Sequence, residues 1–204
     1  MAIKGLSIPV FGRYHNENGV VTYTDGMVNP HAVSYQISLT AGDNNPFYAD
    51  NRIVENDVGM FSSGILKLET DDFTAETSKY LLGLKEVTRT YGEGKTATTL
   101  VYDDTQKSPV LGYGIIEEHQ INEVNKYKAV ILKKVVFGIP EDAATTREEK
   151  IDWQTKTIEG AISRSDEVNG EVSHPWKEDA WFDSEAETLA FLKAMLGVGV
   201  KGSV

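Results

Sequence analysis

Apolar positions in this chain follow a strand period for most of its length and a helical period in two short stretches. Up to about Ser63 they come as brief runs, VVTYT at 20–24 and AVSYQISLT at 32–40, set among Gly, Asn, Asp and Thr, which predicts strands joined by turns. GILKLET at 64–70 predicts another strand. In DDFTAETSKYLLGL, Phe73, Thr77, Tyr80, Leu81 and Leu84 recur at helical spacing, so a helix is predicted over about 72–84, with Asp72 to cap its start and Gly83 suited to its end. The segments 88–102, 109–121 and 126–138 are rich in β-branched and aromatic residues and have short connections, which argues for antiparallel strands. A further strand is predicted over 150–165, where Trp153, Thr155 and Thr157 alternate with Gln154, Lys156 and Ile158. A last helix is predicted over about 184–196, with Ser184 and Glu187 as a capping pair and Leu189, Leu192 and Leu196 as its buried stripe.

The expected class is therefore mainly β, or α+β, with a curled sheet or sandwich carrying helices on its outside. One segment fits neither period. AGDNNPFYADNRIVENDVGMFSSG, about 41–63, reads as a long loop, and its Phe47, Tyr48, Ile53, Val54, Met60 and Phe61 need cover, so it is expected to order against a partner. A single domain over 1–197 is expected, with a flexible tail at 198–204. No internal repeat of fixed period is present.

Composition narrows the function. The net charge is -11, from 20 basic and 31 acidic residues, and 14 acids against 7 bases lie between Glu141 and Val204. Grip on nucleic acid depends on neutralising phosphates with Lys and Arg, so this balance argues against it. No run approaches a membrane span, and MAIKGLSIPVFGR lacks the pattern of a signal peptide, so a cytosolic product without a membrane anchor is expected. The absence of cysteine excludes disulfide and thiolate chemistry.

No motif assembles a catalytic, cofactor or metal site. GEGKT at 92–96 echoes a phosphate loop, but Arg89 stands where the pattern requires its first Gly, and a hairpin turn fits better. His15, His31, His119 and His174 lack metal-ligand spacing. Asp43, Asp50, Asn51, Glu55 and Asp57 lack the order of a calcium loop. Glu117 and Glu118, adjacent on a strand, point to opposite faces and cannot work as paired acid and base. No serine stands in a nucleophile elbow.

From FYADNRIVE (47–55) onward the order of features resembles the major tail protein family of long, non-contractile phage tails. The resemblance runs through Glu55, the Gly64 strand, Leu81-Leu82-Gly83, Val110-Leu111-Gly112-Tyr113-Gly114 and Lys126-Tyr127. It continues through Lys133-Lys134 leading to Phe137, Gln154 to Gly160, and an acidic end containing Trp, covering roughly residues 45–195. It implies a tail-tube-type sandwich or barrel of two packed antiparallel sheets with a flanking helix. It also implies a non-enzymatic virion subunit that forms hexameric rings stacked into a tube, meets other tail proteins at the tube ends and lets DNA pass without specific binding. Phe47, Tyr48, Asp50, Asn51, Arg52 and Glu55 are then the expected inter-subunit contacts. The alternative is a carbohydrate- or protein-binding β-sandwich module with Trp153, Trp176 and Trp181 as platforms, although core or interface roles suit these residues better, with Trp176 and Trp181 covering the last helix.

Overall fold

The segments that form the centre of the molecule are its longest apolar runs. A computed structural model describes residues 2–42, 45–49, 52–57, 61–71, 73–140 and 155–202. Val110–Ile121 forms β9 and Val124–Phe137 forms β10. Leu111, Tyr113 and Ile115 on one face of β9, with Val130 and Leu132 on β10, enter the main core. The opposite face, with Ile116, Ala129 and Ile131, enters a second core. Burial on both faces explains why these strands read as nearly continuous apolar runs.

Around this pair the described residues build an antiparallel sheet of eight strands in the order β2-β1-β9-β10-β11-β6-β3, with β12 also on β10. The other members are β1 (Ala2–Glu17), β2 (Val20–Val28), β3 (Ala32–Ala41), β6 (Phe61–Thr70), β11 (Lys156–Ser163) and β12 (Lys177–Phe182). The sheet curls until β3 approaches β1. Its two halves then face each other across a core that includes Phe11, Leu66, Leu68, Tyr113, Phe137 and Ile158. The expected mainly β class with two packed antiparallel layers is what the structure shows, the layers being halves of one folded sheet. Burial of such side chains contributes roughly 1.5–3 kcal/mol each. β10 divides its pairing, with Tyr127–Leu132 against β12 and Lys134–Phe137 against β11.

Two helices close the layers. α1 (Ala75–Leu82) delivers Leu81 and Leu82 to the main core, and Gly83 ends it in the left-handed conformation, φ 67°. Its cap is Thr74 rather than Asp72, because the Thr74 hydroxyl accepts from the Thr77 amide at 3.1 Å. Thr74→Ala is expected to cost about 1 kcal/mol, read as a lower urea midpoint, with Thr74→Ser near wild type. α2 (Glu185–Met195) is capped by Ser184 as expected and covers the outer face of β1, β9 and β10 with Leu192 and Leu196. It lies close to the sheet because glycines form its bed. A Cβ on Gly12 would stand 2.3 Å from the Leu196 carbonyl oxygen, one on Gly26 2.6 Å from the same atom, and one on Gly114 2.8 Å from the Leu196 side chain.

Three expectations are corrected. The segment 41–63 is not a long loop without strand structure, because β4 (Asn45–Ala49) and β5 (Arg52–Asp57) pair antiparallel with two residues between them. The tail expected to be flexible from 198 is tied to β2, the Asp25 amide donating to the Val200 carbonyl at 2.7 Å and the Gly202 amide to the Asp25 carboxylate at 3.2 Å. Trp176 and Trp181 do not cover α2. Trp176 stacks on Phe61 at 4.5 Å, Trp181 tilts against His119 at 4.8 Å, and Phe182 packs on Phe191 of α2 instead. Trp153 lies outside the described residues. Among the described residues no helix is long and apolar enough to cross a membrane.

Candidate functional site

The expected contact residues fall on the β4–β5 hairpin, which forms a two-stranded sheet of its own. Phe47 lies opposite Glu55, and the register shifts before Tyr48 pairs with Ile53; Arg52 pairs with Ala49. Asp50 and Asn51 lie outside the described residues. A second independent hairpin, unforeseen as a separate arm, joins β7 (Lys85–Tyr91) to β8 (Lys95–Val101) through the GEGK turn. It realises the hairpin expected at 92–96.

The outer faces of the folded sheet differ. One half lies under α2, whereas β11, β6 and β3 present Thr157, Glu159, Ser63, Ile65, Lys67, Glu69, Gln36 and Ser38 outward. Of these outward positions Lys67 alone is a cation, and it is paired with Glu159 at 2.8 Å; the exposed Lys156 at the start of β11 borders the same groove as both. Glu69 accepts from Ser34 at 2.7 Å and from Thr155, and those hydrogen bonds hold its carboxyl below the usual range. The outward positions of this face are therefore polar and slightly acidic, with Lys156 at their margin.

Lys133-Lys134 sits where β10 changes partner. Lys133 is 4% exposed, and its ammonium meets Glu178 at 2.8 Å and Glu167 at 3.4 Å. Lys134 reaches Asp166 at 2.6 Å, and the Tyr14 hydroxyl donates to the same carboxylate at 2.9 Å. These bonds, the one from Lys134 foremost, hold the Asp166 carboxyl low, while burial and the Asp166 charge push the Tyr14 phenol up to about 12. The pair is an anchor for the segment after β11. Its cations are committed to protein carboxylates and are not available to a polyanion.

Where β3 meets β9 the inward alternation of β9 turns polar. Glu117 accepts from the Tyr35 hydroxyl, shares a 2.9 Å hydrogen bond with His119, and lies 3.6 Å from the Lys128 ammonium, which also reaches Asp179 at 3.1 Å. Burial pushes the Glu117 carboxyl up, but the Tyr35 and His119 hydrogen bonds and the Lys128 charge outweigh it and hold the group low. Burial and the same carboxylate push the Tyr35 phenol up. A cavity of about 390 Å³ opens beside them, lined by Ile3, Leu6, Ile37 and Glu117. A carboxylate already held by three donors is not free to serve as a general base. Glu118, on the opposite face as expected, pairs with Lys4 at 3.3 Å. Among the described residues no three His, Asp or Glu side chains gather where they could hold a metal ion.

No protein-family model matches the chain, and no curated protein matches it.

Proposed function

We propose that the chain is the structural subunit of a phage tail tube. It would assemble with itself into stacked hexameric rings in the virion tail, meet other tail proteins at the tube ends, and enclose a conduit through which DNA leaves. The observation that carries this reading is the bare β11-β6-β3 face. A polyanion slides past a wall that offers no free cation, because unpaired Lys and Arg would hold phosphates through counterion release. Among the outward positions of this face Lys67 is neutralised by Glu159 and Glu69 adds a carboxylate, while Lys156 stands at the margin. The reading places that face toward the bore and the β4–β5 hairpin toward a neighbouring ring.

Cryo-microscopy of protein concentrated until it polymerises is the direct test. Rings stacked on a common axis, with Lys67 and Glu159 facing the lumen, are expected; a bore lined by unpaired Lys and Arg would defeat the sliding argument. Replacing Phe47 and Tyr48 together by Ser should leave the circular dichroism spectrum unchanged and stop filament growth. Unchanged polymerisation of that variant would remove the β4–β5 hairpin from the ring-to-ring contact.

A second reading, a binding module, draws on Trp181, which is 45% exposed on β12 beside the Lys128 and Asp179 side chains. Exposed Trp rings serve as stacking platforms for sugars. Glycan binding by the monomer, lost in Trp181→Ala, would favour this reading over the tube.

A further inference from the structure

The pair Asn-Gly occurs twice in the chain, at 18–19 and at 169–170, and the fold treats the two differently. The pair is chemically labile. The side-chain carbonyl carbon of Asn lies within reach of the next residue's backbone nitrogen, and a following Gly puts no Cβ in the way of that approach. Both sites are turns at the surface, where solvent reaches them. What separates them is which hydrogen bonds hold the attacking nitrogen and the attacked carbonyl.

At the first site the nitrogen is committed. Asn18 and Gly19 both take the left-handed conformation, φ 53° and 84°, and turn β1 into β2. The Gly19 amide donates to the Asn16 side-chain oxygen at 3.0 Å, and the Gly19 carbonyl accepts from the Val168 amide at 3.0 Å. To attack Asn18, the Gly19 nitrogen would have to give up its acceptor, and Gly19 would have to turn against its bond to Val168.

At the second site the carbonyl is committed instead. A bridge between Val168 and Ser173, and a bond from the Asn169 amide to the Val172 carbonyl at 3.0 Å, close a turn around Gly170 and Glu171. The Asn169 side-chain oxygen accepts from the Glu171 and Val172 amides, both at 2.9 Å, so the side chain folds back over Gly170. Its side-chain nitrogen donates to Glu167 at 3.2 Å. The Gly170 amide has no acceptor among the described residues, and nothing lies within 4 Å of a Cβ there. A free nucleophile thus faces a carbonyl whose oxygen already sits between two backbone donors, where the charge of a tetrahedral intermediate would form.

We propose that Asn169 is a site of spontaneous deamidation through a cyclic imide, and that the fold protects Asn18 from the same reaction. The Gly170 nitrogen, having lost its proton to hydroxide, forms a bond to the Asn169 side-chain carbonyl carbon. The Glu171 and Val172 amides hold the oxyanion. The carbon–nitrogen bond of the side-chain amide then breaks, and ammonia leaves with a proton taken from solvent. Water opens the imide at either carbonyl and leaves aspartate or isoaspartate at position 169. The product sets a carboxylate where Glu167 had a donor, so like charges meet in place of a hydrogen bond. This turn belongs to the segment that Lys133 and Lys134 anchor through Glu167 and Asp166, and it is where the chain ages first.

The test is peptide mass mapping of the intact chain after incubation at mildly alkaline pH. The peptide containing Asn169 should gain the mass of one amide-to-acid conversion, as two chromatographically separate products, with the imide passing through as a loss of ammonia. The peptide containing Asn18 should convert roughly tenfold more slowly or not at all. Gly170→Ala adds a methyl into open space; it should keep the circular dichroism spectrum and slow conversion at Asn169 roughly tenfold. Asn16→Ala frees the Gly19 amide and should raise the rate at Asn18 toward that at Asn169. In urea both sites should convert at similar rates, because the hydrogen bonds that distinguish them are gone. Asn169 that stays intact in the folded chain while it converts in urea would overturn the proposal, since the turn would then shield the site. Equal rates at the two sites in the folded chain overturn the protection of Asn18. Conversion at full speed in Gly170→Ala overturns attack by an unhindered Gly170 nitrogen.

Discussion

Gly12→Ala should lower the melting temperature by roughly 6–12 °C, the equivalent of about 3 kcal/mol in a chain of this size. The added methyl would stand 2.3 Å from the Leu196 carbonyl oxygen, an atom of the backbone that no rotamer change can move. Relief requires the end of α2 to lift, which would draw Leu192 and Leu196 out of the outer core and disturb the bond from the Gly26 amide to the Gly197 carbonyl. Gly170→Ala is the control, because nothing lies within 4 Å of a Cβ there. If calorimetry puts Gly12→Ala within about 2 °C of Gly170→Ala, α2 is not seated on the glycine bed.

Removing the Glu117 carboxylate is expected to cost about 3 kcal/mol in Glu117→Ala, because Lys128, His119 and the Tyr35 hydroxyl lose a shared buried partner. Glu117→Gln retains an acceptor for Tyr35 and should cost roughly half as much. The pH dependence follows from the direction of the shift. Glu117 titrates lower in the folded chain than in the unfolded one, so the unfolded state takes up its proton first. The stabilisation is whole above the ordinary carboxylate range and disappears as pH falls through the folded value. Urea midpoints from about pH 6 down to pH 3 should decline more steeply for wild type than for Glu117→Gln. Parallel curves would mean that the Glu117 charge does not hold β3 against β9.

Periodicity carried much of this fold. β9 and β10 stood out as β-branched and aromatic runs with short connections, and α2 by its capping pair, Ser184 and Glu187, because composition and capping are local signals. The misses arise where a tertiary partner decides. Gly and Pro interrupt the strand pattern of MAIKGLSIPVFGR, yet β9 and β2 pair with it on either side. Asp72 and Thr74 are both competent caps two residues apart, and the bond from the Thr77 amide to the Thr74 hydroxyl decides the start. In FYADNRIVE the strands are five and six residues long, and the surrounding Asn and Asp masked their alternation. Nothing in VLGYGI says that its glycines are the flat ground under α2, because the helix that uses them lies some seventy residues on. The Glu117 cluster did leave a signal, since Leu111, Tyr113, Ile115, Glu117 and His119 keep one parity. An inward position filled by a carboxylate marks a buried ion network, but its partners Tyr35 and Asp179 cannot be read from spacing.

The place of β1 between β2 and β9 sets an order of events. Ala2 pairs with Gln120, so β1 must wait for more than a hundred further residues before its second neighbour exists. Closing so long a segment is slow, and sheets built on such distant pairings fold late. Until β9 arrives, the β1–β2 hairpin carries Val10 and Phe11 without their native cover. During synthesis those two side chains stay open to a chaperone until Val110–Ile121 emerges to cover them.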